Sequence, residues 1–321
     1  MNLIKPNFIK RENKNIAIFS LSNNDDVKFP KRYGRAIRNL KKRYNSVIEW
    51  KNEKNYNDQF IDFLRDDSID ILMSLTGGYT TNTKLDSLNY NVISQFPKVI
   101  VGYSDTTALL LALYTKINMV TFYGPALLGN FGEYPDVNSY TLNSFNELIR
   151  YRNGKFVYQE PKIQSMSNYY WDKEDMQFLN YEKFSGWKSN KCGCVDGKLV
   201  GGNLNTLLSL LGTEYFPDLT DKILFIEDAY TTPDKFYRDM TTLKQNKIFD
   251  IINGMLVGSF LTNTYRQIEF ETIINKFIKN KPLIYNVNFG HTNPIMTIPI
   301  GVNARIESDK RKIILLESPF K

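Results

Sequence analysis

The chain has 321 residues, of which 42% are apolar and 23% are charged, which suits a globular protein of one large or two medium-sized domains. Its net charge is +7, but the Lys and Arg residues are spread along the chain, which argues against a nucleic-acid partner. No apolar run is long enough to span a membrane and the N-terminus has no apolar signal core, so we expect a cytoplasmic protein without a membrane partner.

The first half of the chain alternates short apolar runs with segments of helical periodicity. The apolar runs are predicted strands at 15–22, 44–50, 70–75, 98–102 and 119–125. The segments between them are predicted helices at 31–42, 57–66, 104–114 and 140–151. Strands that alternate with helices favour a parallel α/β sheet. The basic patch at 31–43 lies on the first of these helices, and we interpret it as a solvated face because no aromatic RNA-binding signature accompanies it.

Residues 152–190 carry many aromatic side chains among polar ones, with little periodicity. We interpret them as a connection between domains, and a connection of this length is often a functional loop. Beyond it, strands are predicted at 198–204, 222–228, 254–260 and 282–287, helices at 206–211, 233–246 and 269–278, and a closing hairpin at 304–316. The chain is therefore divided into an N-terminal domain (1–155), a connecting segment (156–196) and a C-terminal domain (197–321).

The stretch 98–114 is the first candidate for chemistry. It begins as an apolar strand, turns at Gly102-Tyr103-Ser104 and continues as a helix rich in Ala and Leu. A serine at a strand-to-helix corner has its hydroxyl clear of the sheet, as in a nucleophile elbow, and it faces the free N–H groups of the helix. The local pattern is G-x-S-x-T rather than G-x-S-x-G, and a serine before a helix is also a common N-cap. The rest of the chain has to decide between these two roles.

Two further strand ends carry side chains that could work with Ser104. His291 is the only histidine in the chain, and it follows an apolar strand in a Gly-His-Thr-Asn-Pro turn. Glu227 ends the apolar strand 223–226, where a carboxylate needs a partner such as an imidazole N–H. Hydroxyl, carboxylate and imidazole therefore follow each other in the chain order Ser, acid, His, which favours a serine hydrolase.

The glycines and cysteines limit which other kinds of site the chain can form. Gly77-Gly78 follows a predicted strand, and it either forms a simple turn or brings a backbone N–H to an oxyanion hole. No Walker lysine follows it, so a phosphate loop is not expected. Cys192 and Cys194 form a C-x-C pair without the partners of a zinc site, and we expect reduced thiols. The single histidine excludes a histidine metal cluster, and with it most zinc hydrolases. We expect no cofactor.

A set of motifs, spread from about residue 16 to residue 316, resembles the LD-carboxypeptidase family of serine peptidases. These motifs are Gly77-Gly78-Tyr79, Val101-Gly102-Tyr103-Ser104-Asp105-Thr106-Thr107, Gly124-Pro125, Gly201-Gly202-Asn203-Leu204, Leu224-Phe225-Ile226-Glu227-Asp228 and Phe289-Gly290-His291-Thr292. The resemblance implies an α/β protein with an N-terminal flavodoxin-like or glutamine-amidotransferase-like parallel sheet that bears the nucleophile elbow. It also implies a C-terminal mixed α/β domain with a barrel-like sheet, and a cytoplasmic homodimer without metal.

The resemblance also implies roles for individual residues. Ser104 is the expected nucleophile, His291 the general base and then acid, and Glu227 the residue that orients His291. The backbone N–H groups of Gly78 and Asp105 are expected to form the oxyanion hole. A further residue, Asn203, is expected to line the substrate pocket. Because the elbow and the Glu and His strands belong to different domains, we expect the active site at the domain interface.

The aromatic connection favours the microcin-immunity branch of the family, where a tryptophan of this loop stacks on the nucleobase of a peptidyl-nucleotide. Trp171, within Tyr169-Tyr170-Trp171-Asp172, lies at about the position of that tryptophan in the loop. Trp187 is a less favoured candidate for the stacking residue. Alternatively, these tryptophans only pack the domain junction. Three other functions stay open: a muramoyltetrapeptide LD-carboxypeptidase that removes a terminal D-Ala, a catalytically silent peptide-binding module, and a glutaminase-like amidotransferase. The last is disfavoured because such elbows carry cysteine.

Overall fold

The structure is a computed structural model that describes residues 2–7, 14–23, 25–50, 55–165, 171, 176–261 and 265–321. Its strands are β1 (Asn15–Phe19), β2 (Ser46–Ile48), β3 (Ile71–Ser74), β4 (Val99–Gly102), β5 (Thr121–Tyr123), β6 (Phe156–Val157), β7 (Ile163–Gln164), β8 (Glu182–Lys183), β9 (Lys188–Ser189), β10 (Cys194–Asn203), β11 (Ile223–Glu227), β12 (Gly254–Gly258), β13 (Leu283–Val287), β14 (Ile298–Ile300), β15 (Asn303–Glu307) and β16 (Lys312–Leu315). Its α-helices are α1 (Asp25–Lys28), α2 (Pro30–Lys41), α3 (Tyr56–Arg65), α4 (Tyr90–Gln95), α5 (Thr107–Ile117), α6 (Ser139–Arg150), α7 (Leu204–Ser209), α8 (Pro233–Gln245), α9 (Ile248–Ile251) and α10 (Gln267–Phe277).

The first sheet has the strand order β14-β5-β4-β3-β1-β2. Strands β1 to β5 pair in parallel, and β14 is antiparallel to β5. Strands β1, β3, β4 and β5 are buried along their whole length, as expected of parallel strands that are covered on both faces. The C-terminal part of the chain thus contributes a strand to the sheet of the N-terminal part.

The second sheet is mixed and has the order β6-β16-β15-β10-β11-β12-β13-β9. Its centre, β10 to β13, is parallel, and antiparallel strands flank it on both sides. The connecting segment supplies β6 and β9 to the two ends of this row, while β7 and β8 pair with each other. The short strands of the connection therefore extend the core of the second sheet.

Helix α5 lies between the two sheets. It packs against β5 of the first sheet and against β10 of the second, and its residues are buried on nearly every side. Gly202 allows this approach, because a Cβ at that position would lie 2.7 Å from Thr107 Oγ1. The Thr107 hydroxyl also accepts a hydrogen bond from the Asn203 backbone N–H at 3.0 Å. The elbow helix is thus fixed to both sheets.

The carboxyl ends of the parallel strands carry the loops of interest. Strand β3 pairs with β4 in parallel, so the Gly77-Gly78 turn after β3 lies beside Ser104 after β4. In the second sheet, Asn203 at the end of β10 is in register with Glu227 at the end of β11. None of the helices in the described ranges is both long enough and apolar enough to cross a membrane.

Candidate active site

Ser104 lies in a sharp corner between β4 and α5. Its φ is +61°, a left-handed conformation that is uncommon for a residue with a Cβ, and a short 3₁₀ turn (Ser104–Thr106) leads into α5. Gly102 makes the corner possible, because a Cβ there would lie 2.9 Å from Thr106 Cγ2 and would overlap the Ser74 hydroxyl. The strained strand-to-helix turn has the backbone geometry that a nucleophile elbow requires.

The structure brings Ser104, Glu227 and His291 together from three distant segments of the chain. His291 Nε2 lies 3.1 Å from Ser104 Oγ, although 187 positions separate the two residues in the chain. His291 Nδ1 lies 2.8 Å from Glu227 Oε2, and the backbone N–H of His291 donates to the same oxygen at 3.2 Å. Hydroxyl, imidazole and carboxylate therefore form one continuous hydrogen-bonded chain, with the geometry of a nucleophile, a base and an orienting acid.

Two glycines let the backbone pass close to the Glu227 side chain. A Cβ at Gly258 would lie 2.7 Å from Glu227 Cβ. Gly290 has φ +83°, and a Cβ there would overlap the carboxyl end of Glu227. Because Gly290 immediately precedes His291, the missing side chain at this position is what allows the imidazole and the carboxylate to meet.

The Glu227 side chain is fully buried, and two further groups donate to its second carboxyl oxygen. Tyr123 Oη donates to Glu227 Oε1 at 2.6 Å, and Asn203 Nδ2 donates to the same atom at 3.0 Å. The Asn203 Oδ1 atom accepts from the backbone N–H of Thr206 and caps α7. Asn203, the residue predicted to line the substrate pocket, lines the cavity beside Ser104, and its amide is engaged by Glu227 and by the helix.

Electrostatics keep this carboxyl group ionised. Burial by itself raises the pKa of Glu227, but the charge of His291 and three hydrogen bonds outweigh burial and hold this pKa below its usual value. Burial lowers the pKa of His291, whereas the negative charges of Glu227 and Asp228 and the hydrogen bond to Glu227 raise it above its usual value. The imidazole is therefore a stronger base than a free histidine, and its protonated form is stabilised.

The two residues expected in the oxyanion hole lie beside Ser104. Gly78 and Asp105 line the same cavity as Ser104 and His291. The turn before Gly78 is packed tightly against Ser104, because a Cβ at Gly77 would lie 2.7 Å from Ser104 Oγ and 3.5 Å from the Asp105 backbone nitrogen.

The Asp105 side chain ties the neighbouring loops to the elbow. Its Oδ2 accepts from the Ser22 hydroxyl at 2.6 Å, and from the Thr81 N–H and hydroxyl at 2.9 and 2.8 Å. These bonds fix the loop that carries Gly78 relative to Ser104.

Two cavities meet at the imidazole. The first contains Ser104, and polar side chains such as Asn82, Asn203 and Thr206 line it. The second extends from His291 towards the aromatic connection and is lined by charged and aromatic residues, namely Arg32, Arg35, Tyr103, Glu133, Tyr134 and Trp171. Both cavities are lined by His291 and Tyr230.

The second cavity corrects our interpretation of the basic helix. Arg35 is only 8% exposed, and its Nε donates to the Gly132 carbonyl at 2.9 Å, so this face of α2 is not simply solvated. Arg32 and Arg35 are three positions apart and therefore lie on one face of the helix, a spacing that is visible in the sequence. Glu133 lines the same cavity. Burial raises the pKa of Glu133 to about 7, although the hydrogen bond from Asn293 and the charge of Arg32 lower it.

The two tryptophans have different environments. Trp171 lines the second cavity, with the Arg32 guanidinium 4.4 Å from its ring centroid and the Phe29 ring edge-on at 5.4 Å. Trp187 is 1% exposed, and its Nε1 donates to Asn288 Oδ1 at 3.0 Å, so it is a core residue that cannot stack on a substrate. The remaining residues of the expected aromatic loop, Tyr169, Tyr170 and Asp172, lie outside the described residues.

The cysteines lie away from this site. Cys194 begins β10 and is exposed, Cys192 is half-buried, and both are free thiols. Within the described part of the chain, no group of three or more His, Cys, Asp or Glu side chains is placed to hold a metal ion.

Comparison with known proteins identifies the family of this chain. Residues 16–124 match the model of the LD-carboxypeptidase N-terminal domain, and residues 196–306 match that of the LD-carboxypeptidase C-terminal domain. The microcin C7 self-immunity protein MccF of Escherichia coli is 34% identical over 270 residues, which cover 81% of this chain and 77% of that protein. The probable murein peptide carboxypeptidase of Bacillus subtilis is 26% identical over 260 residues, which cover 79% of this chain and 74% of that protein.

A solved structure extends the likeness to the whole fold. The structure of MccF in complex with glutamyl sulfamoyl guanosine superposes with a TM-score of 0.90 at 28% identity, and it covers 99% of this chain and 100% of its own. This likeness confirms the predicted α/β fold class, and the family matches confirm the resemblance seen in the motifs. The chain belongs to the LD-carboxypeptidase family and is a serine peptidase.

Proposed function

We propose that this serine peptidase hydrolyses amide bonds with Ser104 as nucleophile, His291 as general base and acid, and Glu227 as the residue that orients His291. The observation that carries the proposal is the hydrogen-bonded chain from Ser104 Oγ to His291 and on to Glu227, with distances of 3.1 and 2.8 Å. A carboxylate at Nδ1 favours the tautomer with its proton on that atom, which leaves Nε2 free to accept the serine proton.

The reaction follows from these positions. His291 Nε2 takes the proton of Ser104 as Oγ attacks the substrate carbonyl carbon, and the oxyanion is bound by the backbone N–H groups of Gly78 and Asp105. His291 then donates this proton to the leaving amine as the amide C–N bond breaks. A water molecule, deprotonated by His291, attacks the acyl-enzyme and releases the acid, while the proton returns to Ser104. Every step uses side chains and backbone of this chain together with water.

The two cavities suggest how the substrate is oriented. Because His291 has to protonate the leaving amine, the leaving group is placed on the side of the second cavity, which His291 lines and Ser104 does not. The acyl group is placed in the first cavity, beside Ser104 and Gly78. The amide bond is then held across the imidazole, with its carbonyl oxygen towards the N–H donors.

The lining of the second cavity favours an anionic leaving group with a planar ring. Arg32 and Arg35 supply positive charge, and Trp171 supplies an aromatic surface on which a nucleobase can stack. Among the relatives, MccF has been solved in complex with glutamyl sulfamoyl guanosine, a ligand that joins an aminoacyl group to a nucleoside. We therefore propose peptidyl-nucleotide substrates, similar to microcin C or to aminoacyl-adenylate analogues.

A second candidate is removal of the terminal D-Ala from a muramoyl tetrapeptide. The same arginines suit the free carboxylate of a C-terminal amino acid, and one relative is named a probable murein peptide carboxypeptidase. A third candidate is a silent peptide-binding module, which labelling of Ser104 by a fluorophosphonate would exclude. The serine at the elbow also argues against a glutaminase-like amidotransferase.

One experiment separates these functions. The purified protein is incubated in parallel with a peptidyl-adenylate and with an LD-tetrapeptide, and the products are read by mass. We expect cleavage of the amide bond before the aminoacyl nucleotide of the first substrate, with release of the aminoacyl nucleotide at a rate above that of D-Ala release from the second. The Ser104→Ala variant is the control for contaminating hydrolases. Faster D-Ala release would favour the murein candidate, and no release from either would contradict both.

The resemblance to the family also supports a cytoplasmic homodimer, which we propose together with the division of the chain at 1–155, 156–196 and 197–321. Sedimentation equilibrium of the purified protein should give twice the mass of one chain. Limited proteolysis should cut first within 156–196 and leave two larger fragments. A monomeric mass, or first cuts elsewhere, would contradict the respective part of the proposal.

A further inference from the structure

Tyr123 lies where the three segments that carry Ser104, Glu227 and His291 meet. It ends β5, and its side chain is fully buried. Its ring contacts one aromatic neighbour of each of these residues. These neighbours, with their centroid distances, are Tyr103 before Ser104 at 6.5 Å, Phe225 two positions before Glu227 at 5.5 Å, and Phe289 two positions before His291 at 6.5 Å.

The phenol group of Tyr123 connects two of these segments by hydrogen bonds. Tyr123 Oη donates to Glu227 Oε1 at 2.6 Å, and it accepts a long hydrogen bond of 3.4 Å from the backbone N–H of Ser104. Burial and the adjacent carboxylate raise the pKa of Tyr123 well above its usual value. The phenol therefore keeps its proton at neutral pH and acts as a permanent donor to Glu227.

We infer that Tyr123 is a positioning residue of the reaction, which keeps the Glu227 carboxylate in place and, through its hydrogen bond, disperses part of the carboxylate charge that acts on His291. The inference rests on the proposed roles of Ser104, His291 and Glu227. Tyr123 lines neither of the two cavities that meet at the imidazole, so it acts through Glu227 and not by contact with the substrate. Asn203, the second donor to Glu227 Oε1, shares this task.

Loss of the phenol has a defined consequence for the imidazole. In the Tyr123→Phe variant the ring packing remains, but Glu227 Oε1 keeps only the donor from Asn203. With one hydrogen-bond donor fewer, more of the negative charge of Glu227 acts on His291, so the pKa of His291 rises. The other groups that face His291, the carboxylate of Asp228 and the ring of Tyr103, are the same in the variant.

The single histidine makes this effect directly measurable. In a protein purified without a histidine tag, the imidazole NMR signal can come only from His291, and its pH titration needs no substrate. We expect the pKa of His291 to be higher by about 0.5 unit or more in Tyr123→Phe than in the unchanged protein. With a substrate that the protein cleaves, kcat of Tyr123→Phe should fall about tenfold while KM changes little. The reason is that the variant loses a hydrogen bond to a charged group but no contact with the substrate.

A matched control tests whether any buried phenol would do the same. Tyr158 is also buried, and its Oη donates to the Thr297 carbonyl oxygen at 2.8 Å. Tyr158→Phe should leave the His291 titration unchanged. As a second variant, Asn203→Ser removes the other donor to Glu227 but keeps a hydroxyl that can cap α7, and it should shift the titration in the same direction.

The outcomes separate this inference from the proposed function. An unchanged His291 titration in folded Tyr123→Phe, or in Asn203→Ser if the former does not fold, overturns the inference. Equal shifts in Tyr123→Phe and Tyr158→Phe also overturn it, because they assign the effect to packing. Retained turnover in Ser104→Ala instead contradicts the proposed triad, whatever the titration of His291 shows.

Discussion

Replacing Gly290 by alanine should separate Glu227 from His291 while the rest of the fold stays in place. Gly290 has φ +83°, and a Cβ there would overlap the Glu227 carboxyl group. This carboxyl group cannot simply move aside, because Tyr123 and Asn203 hold its other oxygen. The new methyl group therefore has to displace either the carboxylate or the loop that carries His291.

The expected loss of stability in Gly290→Ala has two contributions, backbone strain and the displacement of Glu227. A left-handed backbone costs an alanine about 1–2 kcal/mol of folding free energy. Displacing Glu227 adds the loss of one or more hydrogen bonds to a charged group, each worth about 1.5–3 kcal/mol. For the reaction, a displacement of about 1 Å lowers the rate on the order of 100-fold. Gly290→Ala should therefore lose kcat by about two orders of magnitude and lose more stability than backbone strain alone explains.

The chain offers a close control in Gly212. Its φ is +82°, but a Cβ there would meet no atom within 4 Å, so Gly212→Ala carries the backbone cost without the overlap. Both variants are compared by urea unfolding followed by circular dichroism, and by initial rates on the substrate that the protein cleaves. If kcat of Gly290→Ala is within about twofold of that of Gly212→Ala, the overlap with Glu227 has no catalytic consequence and the reasoning is wrong.

Three further predictions concern the proposed nucleophile, the base and the aromatic loop. Ser104→Ala should abolish turnover while the fold and substrate binding survive, and retained turnover would refute the nucleophile. Only neutral His291 accepts the serine proton, so kcat/KM should fall as the pH falls through the raised pKa of His291. The midpoint of this fall in the pH–rate profile should lie above 6.5, the usual pKa of histidine. A midpoint below 6.5 would contradict the assignment of His291 as the base. Trp171→Ala should weaken cleavage of a peptidyl-adenylate more than that of a muropeptide without a base, and equal losses would assign Trp171 to packing against Arg32 and Phe29.

The sequence predicts those features of this protein that are set by residues close together in the chain. The apolar runs at 70–75 and 98–102 correspond to β3 and β4, because a strand covered on both faces needs a continuous apolar run. The corner at Gly102-Tyr103-Ser104 is visible because a sharp turn between strand and helix needs a small residue. The count of one histidine is enough to single out position 291, because histidine-dependent chemistry has no other candidate in the chain.

Motif order and chemistry also predict the family and the class of enzyme, and the comparisons confirm both. The roles of Ser104, Glu227 and His291 stay predictions that the geometry supports. Their distances cannot be read from the sequence, since the imidazole and the serine are 187 positions apart and meet only when two sheets pack on α5. No local pattern encodes such a contact.

Only the tertiary structure decides what each buried polar group touches. Asn203 is expected beside the substrate, and its amide also donates to Glu227, because β10 and β11 are in register at that point. Tyr123 does not stand out in the sequence, since a tyrosine at the end of an apolar strand is ordinary core. Trp171 and Trp187 both lie in the aromatic connection, and only the structure shows that Trp187 is a core residue and that Trp171 lines a cavity. Local periodicity indicates that a residue is apolar or lies at a strand end, whereas packing of distant segments decides which atom it faces.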